Sequence, residues 1–239
     1  MEKKLMGLLL VITVLSLAVV SCIASPITVQ IRSHSEKVEL EDADSVNVDI
    51  KMGAGKLEVN GGADSLMEGV FSYSNRAYAP EVSYRVRSNG IGSLQILQED
   101  KPGIQIPSSY KNDWDLAFNN DIPMEMDITL GAGESILNFE NLSLENFTMQ
   151  MGAGASFVDL SGDIKDDLTI DIQGGVGELT LILPPDTNIE ADVSGGLGEI
   201  NTSGLYREND HFISKYSGSG PVLYITIEAG VGQLNLLVQ

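Results

Sequence analysis

Carboxylates recur in this chain at fixed distances from a repeated glycine unit, and their spacing is its best candidate for chemistry. The unit Gly-x-Gly stands at Gly53-Ala54-Gly55, Gly131-Ala132-Gly133, Gly152-Ala153-Gly154, Gly175-Val176-Gly177, Gly196-Leu197-Gly198 and Gly230-Val231-Gly232. A weaker copy is Gly90-Ile91-Gly92. Four residues before the first glycine come Asp49, Asp127, Asp171 and Asp192, with Thr148 and Thr226 in the other units. Three residues after it come Lys56, Glu134, Ala155, Glu178, Glu199 and Gln233. If consecutive units stack at strand spacing, Asp171 lies about 5 Å from Asp192, and Glu178 about 5 Å from Glu199. Like charges that close must be solvated or bridged, and carboxylate oxygens suit a hard cation such as calcium. The columns are therefore either the wet outer face of the fold, the more ordinary arrangement, or a Ca2+ site built from Asp171, Asp192, Glu178 and Glu199.

Other chemistries find less support. Gly174-Gly175-Val176-Gly177-Glu178-Leu179 and Gly195-Gly196-Leu197-Gly198-Glu199-Ile200 share their glycines with the calcium-binding nonapeptide repeat. However, Glu replaces the required Asp, and the spacing is near 21 residues rather than nine. Each glycine unit is followed by a strand pattern rather than a helix, which excludes a P-loop or dinucleotide fingerprint. His34 and His211 are the only histidines, and neither has a partner set for zinc or for activating a nucleophile. Paired carboxylates could serve a carbohydrate-active enzyme, yet nothing singles out one acid and one base. The expectation is a protein that is not an enzyme and needs no cofactor beyond an optional Ca2+. A surface glycan-binding protein or a carbohydrate-active enzyme is the alternative.

The elements that position these columns are strands. Val46, Val48 and Ile50 alternate with polar residues before Gly53, and Leu57 and Val59 continue after Gly55. The same frame returns at Leu168-Thr169-Ile170-Asp171-Ile172 before Gly175, at Ile189-Glu190-Ala191-Asp192-Val193 before Gly196, and at Leu223-Tyr224-Ile225-Thr226-Ile227 before Gly230. Period-two alternation predicts half-buried strands. First glycines at 131, 152, 175 and 196 are 21, 23 and 21 residues apart, a repeat signature. Each unit reads as two short strands joined at a glycine corner, with the apolar middle residue turned into the core. Segments 60–85, 98–123 and 204–221 break the rhythm and read either as binding loops or as hairpins that extend the sheet.

The N-terminus carries an address. Lys3 and Lys4 precede an apolar run from Leu8 to Val20, which ends at Val19-Val20-Ser21-Cys22. That run is short for a membrane span and reads as a lipoprotein export signal, with Cys22 as the lipid attachment site. Cys22 is the only cysteine, so no intrachain disulfide is available. With 14 basic and 34 acidic residues, the net charge of -20 disfavours nucleic acid and anionic headgroups. Membrane attachment is expected through the N-terminal lipid, on the extracytoplasmic face of the cell membrane. The run Leu234 to Gln239 lacks a polar cap and motivates end-to-end self-association.

The units GAGKLEV, GAGESIL, GAGASFVDL, GGVGELTLILP and GGLGEI together resemble the toast-rack domains. These include the C-terminal domain of LiaF-like, cell-wall-active-antibiotic response proteins. The resemblance implies a single-stranded right-handed β-solenoid with rungs of about 21 residues. It also implies a scaffold or an accessory to envelope-stress sensing that binds an envelope protein, and it brings no catalytic motif. The expected organisation is a signal peptide (1–21), a tether (22–36), an N-terminal toast-rack module (37–123) and a LiaF-like toast-rack core (124–239). Where LiaF-like proteins carry a bundle of membrane helices, a lipid anchor is expected to take its place in this chain.

Overall fold

Alternating sequence becomes strand nearly everywhere it occurs. The computed structural model describes residues 30–98 and 111–239, apart from residues 197 and 217. The export signal, Cys22, most of the tether, Pro102 and Pro107 lie outside the described residues. In chain order the strands are β1 (Arg32–Val38), β2 (Ser45–Gly61), β3 (Met67–Tyr73), β4 (Glu81–Val86), β5 (Ile91–Leu97), β6 (Asn112–Phe118) and β7 (Met124–Asn138). They continue as β8 (Leu144–Asp159), β9 (Leu168–Leu183), β10 (Asn188–Gly195), β11 (Gly198–Ser203), β12 (Leu205–Glu208), β13 (His211–Ser214) and β14 (Val222–Val238). One 3-10 turn, Arg76–Tyr78, is the only helical element among the described residues. The protein is all-β.

Five strands run straight through their glycine units instead of breaking into two. β2, β7, β8, β9 and β14 each hold 15 to 17 residues with Gly-x-Gly near the middle. Only the unit at Gly196 separates into β10 and β11. The burial pattern changes parity at the glycines: Leu168, Ile170 and Ile172 are buried before them in β9, then Leu179, Leu181 and Leu183 after. An odd step of this kind lets both halves of one strand face a shared core, and both halves do contribute to one cluster from Val46 to Leu236.

The sheet order is β1-β3-β6-β2-β7-β8-β9-β14-β10-β13-β12, and the path stays open. β2, β7, β8, β9 and β14 are parallel and in register, with Ala54, Ala132, Ala153, Val176 and Val231 side by side. The irregular segments are sheet extensions. β5 pairs with the first half of β2 and β6 with its second half, so they cover one end of the stack. β12 and β13 form a hairpin, with β13 antiparallel to β10. The sheet is continuous across residue 123, because β2 and β7 pair directly from Val46↔Met124 to Val59↔Leu137.

The structure departs from three expectations. Arg32–Glu36, read as tether, belong to β1, which pairs with β3 along its length. Its sequence does not alternate, because it is an edge strand held by backbone bonds and by His34 stacked on Phe71 at 5.1 Å. Consecutive units do not all stack on each other, since β14 enters between β9 and β10. For the same reason Leu234–Leu237 are not an uncovered end but lie between β9 and β11. Among the described residues, the edge left open beside β14 is that of β11, which pairs with no other strand.

Candidate functional site

The glycine units run in register across the sheet as a ladder, and close backbone approach explains their composition. Gly154 has φ +140°, and a Cβ there would strike the backbone carbonyl of Gly133 on the neighbouring strand. Gly152 has an ordinary φ, yet a Cβ on it would meet the carbonyl oxygen of Gly131. Glycine is required at one position for both conformation and space, and at the other for space alone. The middle residues point outward, against expectation: Val176 and Val231 are each 58% exposed. The parity change places them on the outside of the bend, where they form an apolar row with Ala132 and Ala153.

One end of this ladder is sealed by a polar network. Gly53 N donates to Gln98 Oε1 at 3.1 Å, and Asn112 Nδ2 donates to the same oxygen at 3.0 Å. Asn112 Nδ2 also donates to Ala54 O at 2.8 Å, while Trp114 Nε1 donates to Asn112 Oδ1 at 2.9 Å. Asn112 and Trp114 are both buried, so their bonds satisfy side-chain groups that water does not reach, while the Gly53 bond lies at the surface. The other end holds a cavity of about 270 Å³. Its apolar lining includes Met151, Ile172, Leu179, Val193, Ile227 and Leu234; its charged lining is Glu178, Glu199, Arg207 and Asp210.

The cavity follows from one in-register position, the residue just before each Gly-x-Gly. In sheet order this position holds Met52, Leu130, Met151, Gly174, Ala229 and Gly195. The first three are large and buried. The last three carry a methyl group or nothing: a Cβ built on Gly174 would find no atom within 4 Å, whereas Gly195 has φ +129° and a Cβ there would strike the carbonyl oxygen of Ala229. Sequence reasoning missed this position, although the contrast of Met-Gly and Leu-Gly with Gly-Gly and Ala-Gly was there to read.

The acidic columns arrange differently from the stacking expected. Thr226 stands between Asp171 and Asp192, and Gln233 between Glu178 and Glu199. Each pair is thus two strands apart, about 9.6 Å rather than 5 Å. Asp192 Oδ1 contacts His211 Nδ1 at 2.8 Å, and Glu178 Oε1 accepts from Asn235 Nδ2 at 3.1 Å. Glu178 and Glu199 share the cavity wall, whereas Asp171 and Asp192 do not line it. Among the described residues, no group of three or more His, Cys, Asp or Glu is placed to hold a metal ion. Cys22 lies outside the described residues. A second hollow, of about 490 Å³, lies among turn residues such as Asp121, Glu140, Asp163 and Lys165.

The family model for the N-terminal domain of toast_rack (DUF2154) matches residues 27–182. The crystal structure of a "putative cell adhesion protein" from Clostridium sporogenes is 30% identical, with a TM-score of 0.85, covering 88% of this chain and 100% of that one. A "putative adhesin" from Bacteroides fragilis covers 87% of this chain and 97% of its own at 11% identity, but its TM-score of 0.33 gives it no weight. Curated proteins give no match. The family model spans more than half of the sequence, and the chain belongs to the toast-rack family.

Proposed function

We propose that this protein is a lipid-anchored, non-catalytic element of the cell envelope that works by presenting its sheet surface to a protein partner. The observation that carries this reading is the exposed row Ala132, Ala153, Val176 and Val231, which crosses four neighbouring strands in register. A straight apolar ridge on an acidic protein suits another surface better than a small substrate. The likeness to the clostridial structure, named for cell adhesion, supports the same role. Anchorage through Cys22 on the extracytoplasmic face would hold that ridge at the envelope, as a scaffold or as an accessory to stress sensing. Among the described residues, no helix is long and apolar enough to cross a membrane.

In this reading β7, β8 and β9 are rungs of a single-stranded solenoid. They stack in chain order with glycines 21 and 23 residues apart. Parallel crossovers are right-handed in nearly all proteins, which gives the solenoid its hand. The open edge of β11 is where copies would join end to end. The test is a cross-linked pull-down from membranes with the full lipidated chain beside Cys22→Ala. Recovery of one envelope protein, lost in Cys22→Ala and in Val176→Ser/Val231→Ser, is the expected result. Recovery of glycan alone, or of no protein, would contradict it.

A further inference from the structure

We propose that the cavity among β9, β14 and β10–β11 is a binding site for a single alkyl chain whose head carries no negative charge. Four observations carry this. The space is about 270 Å³, and its lining includes the apolar side chains of Met151, Ile172, Leu179, Val193, Ile227 and Leu234 between stretches of glycine backbone. Closed apolar cavities of about 150 Å³ take up small apolar molecules, and this hollow, open to solvent on its charged side, is larger. The space is also specific to this end of the sheet. The position that supplies Met52, Leu130 and Met151 elsewhere supplies Gly174, Ala229 and Gly195 here.

The opening at Gly174 is not a conformational requirement. Gly174 is not among the positive-φ glycines, and its missing Cβ would meet nothing within 4 Å. A larger residue could stand there without strain, so glycine leaves room that the backbone does not need. The charged lining selects the head. Glu178, Glu199 and Asp210 outnumber Arg207, whose Nε donates to Asn209 O at 2.8 Å and whose guanidinium lies 5.2 Å from the Phe212 ring centre. A carboxylate or phosphate head would meet net repulsion there, and an alcohol or amine would not.

The test is photolabelling of the full chain in lipid nanodiscs with a diazirine-bearing decanol, followed by mapping of the labelled peptides. Labelling of residues 172–179 and 227–234 is expected in the wild type. It should be lost in Gly174→Met, with the far-ultraviolet β signal retained. If Gly174→Met fails to fold, Ala229→Met fills the same space and provides the same readout. The matching diazirine-bearing decanoate should label these segments more weakly. Absence of wild-type labelling there, or labelling that persists in the filled variants, would overturn the site. Equal labelling by alcohol and carboxylate would overturn the selection against anionic heads.

Discussion

The two ends of the glycine ladder share one backbone plan and differ in what fills it. At the β2 end, Met52, Leu130 and Met151 pack the inside of the bend. There Gln98, Asn112 and Trp114 close the exposed backbone. At the β14 end the same position carries Gly174, Ala229 and Gly195, and a cavity opens. The parallel ladder is indifferent to this change, because its register is held by main-chain bonds and by glycines that let the strands approach. A repeat scaffold can therefore be packed at one end and hollow at the other while its register is kept, although the unit at Gly196 breaks into β10 and β11.

Substitutions at the two ends should separate these roles. The largest effect is expected from Trp114→Ala, which removes a wholly buried ring and the donor to Asn112, at about 3–5 kcal/mol in urea unfolding. A loss under about 1 kcal/mol would show that the sealed end is not a rigid core. Next comes a matched pair of glycines. Gly154→Ala should cost about 2–3 kcal/mol through its positive φ and its clash with Gly133, whereas Gly174→Ala should be neutral or stabilising by up to about 1 kcal/mol. Equal losses would remove the distinction between required and spare glycines.

A smaller effect is expected at high pH. Tyr84 donates to Leu40 O at 2.9 Å, and burial raises its hydroxyl pKa above the usual 10.0. The unfolded chain thus ionises first, so this contribution is present below pH 10 and fades as pH rises through the folded-state value. An alkaline stability titration should flatten in Tyr84→Phe. The smallest stability change, within about 0.5 kcal/mol, is expected for Val231→Ser on the outer row, because that side chain is already in water.

Much of the fold was legible because alternation and paired glycines act locally. Val46-Val48-Ile50 and Leu168-Ile170-Ile172 announced strands, and the spacing of the glycines announced a stack. Sheet order was hidden because it depends on a non-local event. The β12–β13 hairpin covers the edge of β10, and β14 then enters between β9 and β10. That entry separates Asp171 from Asp192 and Glu178 from Glu199. The outward turn of Val176 was hidden by the parity change, since a fixed period of two carries the wrong face across the bend. β1 was hidden because an edge strand that is exposed except at the half-buried His34 and Val38 has no apolar alternation to detect.

The central claim is that the size of one inward residue decides which end of the ladder is packed and which is hollow. Melting temperatures of the full chain carrying Met151→Ala or Gly174→Met test it most directly. The account predicts opposite signs: a fall for Met151→Ala from loss of about 2–4 kcal/mol, and a rise for Gly174→Met from gain of about 0.5–2 kcal/mol. A fall in both would contradict it, because the space at Gly174 would then belong to a packed core.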